Sequence, residues 1–192
     1  MAAITSGKTA RSIRRLLLWL FFLFVLFLLG AWAWHQPFML RGRKLVELSR
    51  MAPPLQLPVP VQGVSAARIA DTFGAPRGAD RTHAGVDIFA TRGTPVTSAT
   101  QGLVASIRDT GLGGKQVWVL GPARERHYYA HLDDWAPGLE EGAVVAPGDV
   151  LGYIGTTGNA RGTRPHLHYG IYGNAGAYDP LPLFKIGAER DR

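Results

Sequence analysis

The sequence predicts a mainly β protein, a small antiparallel β-sheet domain preceded by one transmembrane helix. Three observations lead there. The 192 residues suffice for one domain and an attachment, not for two full domains. Residues 16–34 carry no charge and consist mostly of Leu, Phe, Val and Trp. After residue 75 the chain breaks into short apolar runs cut by Gly and Pro, with no sustained period of 3.6.

The apolar run comes first in the chain. As a helix rising 1.5 Å per residue it is about 28 Å long, close to the hydrocarbon thickness of a bilayer. Trp32 and Trp34 stand at its far end, where amphipathic rings prefer the interface. Apolarity on every face argues against a core helix, which keeps a polar stripe for solvent. Lys8, Arg11, Arg14 and Arg15 precede the run, and Arg41, Arg43 and Lys44 follow it, so flanking charge alone orients it weakly. A short basic tail before a first span stays cytoplasmic. That predicts a single-pass protein of the inner (cytoplasmic) membrane, with its larger domain in the periplasm. Ala31-Trp32-Ala33 also has the small-x-small form of a signal-peptidase site, so cleavage after Ala33 competes with a retained anchor. The run is longer than a usual signal core, which favours retention.

The net charge of +7 invites a nucleic-acid reading until it is located. Residues 1–50 hold eight Lys and Arg against Glu47 alone, and the rest of the chain carries equal numbers of each sign. The basic excess therefore flanks the apolar run, where it meets anionic lipid head groups. No nucleic-acid partner is expected. Cysteine is absent, so disulfides and thiolate metal sites are excluded, and any metal must be held by His and carboxylate.

Residues 39–50 read as a short polar-faced helix. Pro53, Pro54, Pro58 and Pro60 then forbid helix, and Leu55, Leu57, Val59 and Val61 alternate between them, so this stretch is an extended linker or a strap along the domain edge. The domain is expected to start near Val64, with a short helix over 65–71. Strand-length runs rich in Val, Ile and Tyr follow at 86–89, 102–107, 116–120, 126–132, 150–154 and 166–172. Residues 111–114 and 156–164 are the most loop-like stretches, and loops of this kind shape sites.

Five of the six histidines fall in the globular domain, four of them in these runs and His83 just before the first, and their spacing carries the chemistry. His83 and Asp87 stand four apart, which in a strand puts them on one face with Val86 and Ile88 on the other. His166 and His168 stand two apart, with Leu167 and Tyr169 opposite. Regular alternation gives His131 the same face as Tyr129 and His127. A lone strand His is usually a surface or hydrogen-bonded residue, and an isolated HxxxD or HxH is weak evidence. Three neighbouring strands with this combination would assemble two His and one carboxylate around an open fourth position, which is the pattern of a catalytic zinc site. Spacing alone does not say which of His166 and His168 is the ligand.

The chain resembles the lysostaphin-type (LytM-type) zinc endopeptidases of bacterial cell walls. The resemblance rests on Phe73-Gly74, on residues 83–87, and on Arg92-Gly93-Thr94-Pro95-Val96 and Gly102-Leu103-Val104. It continues through Tyr129-Ala130-His131-Leu132, Gly148-Asp149-Val150-Leu151-Gly152, Gly155-Thr156-Thr157-Gly158-Asn159 and Pro165-His166-Leu167-His168. It implies a LytM-like antiparallel domain of the duplicated hybrid motif type, with one Zn2+ held by His83, Asp87 and His168. It also implies His131 and His166 as the catalytic pair, which must carry the proton traffic because no HExxH-type Glu is present. His127 is expected on the strand surface, His35 at the membrane interface, and Tyr129 packing beside His131. The implied layout is a cytoplasmic basic tail at 1–15, the span at 16–34, and a juxtamembrane and Pro-rich linker at 35–63. A zinc metallopeptidase domain at 64–185 and a tail at 186–192 complete it. The implied partners are peptidoglycan stem peptides and, through the anchor, membrane lipid. Anchored envelope enzymes of this kind point to the D-alanyl–diaminopimelate cross-link of Gram-negative walls, with a glycine bridge less favoured. Some relatives are kept latent by an upstream Asn, and no Asn precedes Asn159 here. Others have lost ligands and act as non-catalytic activators or adaptors of other hydrolases. A metal-storing protein and a purely structural domain are further rivals, but a three-ligand site with two extra His fits catalysis better.

Overall fold

A computed structural model describes residues 6–36, 39–78 and 80–184, so the expected tail at 186–192 lies outside the described residues. The chain divides into two compact units, Met1–Arg43 and Lys44–Arg192. In the first, helix α1 spans Ser6–Trp34, so the basic residues expected in a tail before the span occupy its opening turns. Residues 10–34 are long and apolar enough to cross a membrane. Their large side chains are exposed, among them Phe21 and Phe27, which leaves an apolar surface far wider than water tolerates. Helix α2 spans Leu40–Arg50, where the short polar-faced helix was expected. Within the second unit its Leu48 is buried, and Lys44 Nζ donates to Gln101 Oε1 at 2.7 Å.

The Pro-rich stretch is a strap. Leu57 N–H donates to Leu183 O, Gln62 N–H to Pro95 O and Thr97 N–H to Pro60 O. Pro58 and Pro60 have no N–H to offer, so the stretch pairs as an irregular edge, and Leu57 and Val61 point into the core. In place of the expected helix over 65–71 there is a single 3-10 turn at Ala66–Arg68. Pro-free but lacking a side-chain cap, that segment has little to propagate a helix.

Nine strands among the described residues form one antiparallel sheet. They are β1 (Val86–Phe89), β2 (Pro95–Thr97), β3 (Gly102–Thr110), β4 (Gly114–Leu120), β5 (Arg126–Trp135), β6 (Val144–Val145), β7 (Val150–Ile154), β8 (His166–Gly173) and β9 (Gly176–Tyr178). The main order is β1-β8-β5-β4-β3-β6, with β2 on β7, β7 also on β5, and β9 on β8. The six runs read from the sequence are all strands. β2, β6 and β9 are too short to show a period of their own.

The core lies under the alternate residues of these strands: Val86 and Ile88 from β1, Val117 and Val119 from β4, Leu167, Tyr169 and Ile171 from β8 are fully buried. Each buried aliphatic side chain contributes about 1.5–3 kcal/mol. Burying these residues fixes the register, because a one-residue slip would turn every one of them outward. That register positions the site.

Candidate metal centre

Strand β8 sits between β1 and β5, and its His168 is paired with Asp87 on one side and Ala130 on the other. The carboxylate of β1 and the imidazole of β8 are thus brought together by backbone hydrogen bonding. His83 precedes β1 in an irregular segment, so strand alternation does not place it. Gly85 does: a Cβ there would lie 2.3 Å from Tyr169 O, so only glycine lets residues 83–86 pass this close to β8.

Three potential ligand atoms converge. His83 Nε2 lies 2.8 Å from His168 Nδ1 and 3.0 Å from Asp87 Oδ1, and His168 Nδ1 lies 3.2 Å from Asp87 Oδ1. Ligands on a tetrahedral ion with bonds of about 2 Å are spaced by about 3.3 Å, so this triangle is nearly the size such an ion needs. His83 Nδ1 is 2.7 Å from Thr72 O, a group that can only accept, so Nδ1 carries the proton and Nε2 is left with its lone pair. The donor set fits a borderline divalent cation.

Asp87 is buried, which opposes ionisation, but its close contacts with His168, His83 and the Arg77 guanidinium hold its carboxyl far below the usual range. Arg77 takes Oδ2, which leaves Oδ1 turned to the two imidazoles. Burial also lowers His168.

His131 reaches the same pocket by breaking alternation. Strand β5 leaves β8 at Ala130 and takes up β7 from Leu132, and the residue between them has φ +65°. Strict alternation would send His131 into the core with Tyr129 and His127. The left-handed residue turns it into the pocket instead, while Tyr128 and Ala130 line that pocket from the other parity. The expected shared face of His131, Tyr129 and His127 is therefore corrected. So is His127 as a surface residue: it is fully buried, with Nδ1 2.7 Å from Tyr169 Oη, and burial pulls it down to about 3. Tyr129 belongs to the core as well, its Oη accepting from Ala99 N–H at 2.9 Å.

His131 and His166 face each other, ring centres 5.1 Å apart. His131 Nδ1 is 3.0 Å from Thr157 O, and His166 Nδ1 is 2.8 Å from Arg164 O. As with His83, carbonyl acceptors assign the protons to Nδ1 and leave Nε2 free. Burial, with His166 and His168 close by, lowers His131 to about 4, so it is neutral at pH 7. A neutral imidazole with a free, fixed Nε2 is equipped to take a proton.

All five residues singled out in the sequence line one pocket, whereas His35 belongs to the other unit. The loop-like stretches line it too, through Leu112 and Gly113 on one and Asn159, Ala160 and Thr163 on the other. Sequence reasoning missed Arg77, Arg81, Thr72 and Thr157. Their contacts run through a hairpin at 74–83 and through backbone carbonyls, neither of which leaves a periodic signal.

Known proteins fall in line with this geometry. Lysostaphin's catalytic domain from Staphylococcus simulans superposes with a TM-score of 0.54 at 30% identity, covering 61% of this chain and 91% of that one. An L-Ala–D-Glu endopeptidase of Bacillus subtilis is 38% identical over 122 residues, 58% of this chain and 37% of that protein. A DD-carboxypeptidase/endopeptidase of Neisseria meningitidis is 33% identical over 103 residues, 54% of this chain and 23% of that protein. The chain thus spans well under half the length of these two relatives. Peptidase family M23 matches residues 81–180, a stretch that holds His83, Asp87, His131, His166 and His168. With a match over more than half its length, the chain belongs to peptidase family M23.

Proposed function

We propose that this chain is a membrane-anchored zinc metalloendopeptidase that hydrolyses peptide cross-links in cell-wall peptidoglycan. One observation carries the reading: His83 Nε2, Asp87 Oδ1 and His168 Nδ1 converge at 2.8–3.2 Å beside two further imidazoles with free Nε2 atoms. The names of several relatives support it: an L-Ala–D-Glu endopeptidase, a glycyl-glycine endopeptidase and a DD-carboxypeptidase/endopeptidase.

In this reading His83, Asp87 and His168 hold one Zn2+, and Arg77 and Thr72 fix the orientation of the first two. Bound there, the ion supplies acidification of a water and polarisation of a peptide carbonyl. The chain's own residues do the rest. His131, neutral and pinned through Nδ1, accepts a proton at Nε2 and orients the attacking water. His166, pinned the same way, also keeps Nε2 free to accept from the attacking water, and the proton taken up by His131 is returned to the leaving amine. Leu112, Tyr128 and Tyr172 give the groove apolar and aromatic walls.

The bond favoured is D-alanyl–diaminopimelate, with the catalytic domain of residues 64–185 in the periplasm and α1 retained in the inner membrane. The alternative, a non-catalytic activator of other hydrolases, is disfavoured because all five site residues are present and oriented. Incubating the purified protein with peptidoglycan, with and without a chelator, tests the reading. Chelator-sensitive release of muropeptides with a new free amine on diaminopimelate is expected. Release only of glycine oligomers would refute the bond, and no release at all the activity.

A further inference from the structure

The groove carries two guanidinium groups, and the proposed chemistry uses only that of Arg77. Residues 74–78 and 80–83 pair as the arms of a short hairpin: Gly74 N–H donates to His83 O, His83 N–H to Ala75 O and Arg77 N–H to Arg81 O, each at 2.8 Å, while Pro76 faces Thr82. This ladder puts Arg77 and Arg81 at one end of the hairpin, and both line the groove. Their situations differ. Arg77 is committed to Asp87 Oδ2. Arg81 is exposed and, among the described residues, its side chain makes no ion pair or hydrogen bond.

Nothing else in the groove answers that charge. Asp87 is the one acidic residue lining it among the described residues, and its oxygens are taken by Arg77 and the two imidazoles. Asp80, beside Arg81 in sequence, neither lines the groove nor pairs with it. The remaining lining, including Leu112, Tyr128, Asn159 and Tyr172, is uncharged. A divalent cation on the triad would make the groove more positive still. Some exposed charges elsewhere in the second unit are paired, as Arg92 is with Asp133 and Lys115 with Asp134. Arg81 differs from those in lining the groove with no such partner among the described residues.

We infer that Arg81 is a specificity-determining residue: it recognises a free carboxylate on the peptide next to the bond to be cut, so the groove selects acidic peptides. A planar guanidinium matches a carboxylate with two parallel hydrogen bonds, and charge-assisted bonds of this kind strengthen as the substrate displaces water from the groove. A peptide whose corresponding group is neutral leaves Arg81 uncompensated. The inference rests on the peptidase reading above for its substrate, but not for its charge argument.

The test uses the zinc-loaded full chain in detergent and two probes: a cross-linked stem-peptide dimer with free carboxyl groups, and the same dimer with those groups converted to carboxamides. The wild-type protein is expected to prefer the acid dimer about tenfold in kcat/KM, mainly through KM, as one charge-assisted contact would give. Arg81→Gln brings the ratio of the two dimers to near one, and Arg81→Lys restores part of it. Calorimetric binding of both dimers is read in parallel, and zinc content reports that each variant has folded its site. Equal ratios in the wild type and Arg81→Gln overturn the role of Arg81 while leaving the peptidase intact. Discrimination in binding with no cleavage of either dimer sinks the hydrolytic reading and leaves Arg81 standing. Equal binding of both dimers to the wild type overturns the inference whatever cleavage shows.

Discussion

His166 and His168 stand two residues apart on β8 and face the same pocket, yet their ring nitrogens are used differently. His168 Nδ1 points at Asp87 Oδ1, whereas His166 Nδ1 is spent on the carbonyl of Arg164. Replacing His168 with Ala should therefore remove zinc and hydrolysis together. Replacing His166 with Ala should keep zinc and lower kcat by about 100-fold or more, the usual size of a lost acid–base group. Metal analysis beside muropeptide release checks the division, and equal zinc loss in both variants would refute it. His127 makes a different prediction, about stability. Its pKa is depressed to about 3 by burial, against an ordinary value near 6.5. The unfolded chain takes up this proton as pH falls below about 6.5 and the folded chain does not. Stability is therefore full above pH 6.5 and declines as pH falls towards about 3, by up to about 1.4 kcal/mol per unit from this group. Urea unfolding at pH 7 and pH 5 should show a shallower acid loss in His127→Gln than in the wild type; identical slopes would count against the assignment.

Among the elements, the crossing of two 3-10 turns, Gly111–Gly113 and Gly158–Ala160, builds one wall of the groove and carries one link to the catalytic pair. The turns touch through glycine backbone. A Cβ on Gly158 would lie 2.2 Å from Leu112 O, and Gly158 itself has φ +66°. Thr157 beside it accepts from Lys115 N–H through Oγ1, donates to Leu132 O, and offers its carbonyl to His131 Nδ1. Gly158→Ala should cost about 2–4 kcal/mol from overpacking and backbone strain. Because Thr157 moves with it, activity should fall further than zinc binding does. Denaturant midpoints with zinc titration check this, and a variant of unchanged stability and rate would show that the wall yields freely. Strand β5 belongs to this scale too, since its change of partner at His131 is what supplies the proton acceptor.

At the scale of the molecule, the strap decides where the domain begins. Leu48, Leu57 and Val61 are 1%, 3% and 1% exposed, all upstream of the start near Val64 expected from the sequence. Removing them forfeits about 5–9 kcal/mol as an upper estimate, a large share of the 5–15 kcal/mol by which a domain is stable. Residues 44–192 should therefore melt cooperatively, and residues 64–192 should be far less stable or unfolded. Equal midpoints for the two would refute a structural role for the strap. The apolar surface of α1 predicts a second difference: the full chain should stay in the membrane fraction through an alkaline carbonate wash, and residues 44–192 should not.

Much of this was legible in the chain itself. Period and composition alone marked the six longer strands, the apolar helix and the basic flank, because each is a local pattern that burial or lipid imposes on neighbouring residues. The shared face of His166 and His168 was legible for the same reason, since strand alternation is local, whereas His83 reaches Asp87 from an irregular segment that Gly85 lets pass close to β8. What only the tertiary structure decided depends on contacts between distant segments. Alternation gave His131 one face with Tyr129 and His127; those two lie in the core, and the exchange of β8 for β7 beside β5 turned His131 out of it. His127, whose spacing suggested a surface, is sealed beneath β8 by Tyr169. Arg77 and Arg81 had no pattern to mark them until a hairpin carried both to the groove. The sequence determined which residues bear the chemistry; the packing of β1, β8 and β5 decided which nitrogen of His83, His131 and His168 faces the site, because those orientations are fixed by carbonyls and a carboxylate from other segments.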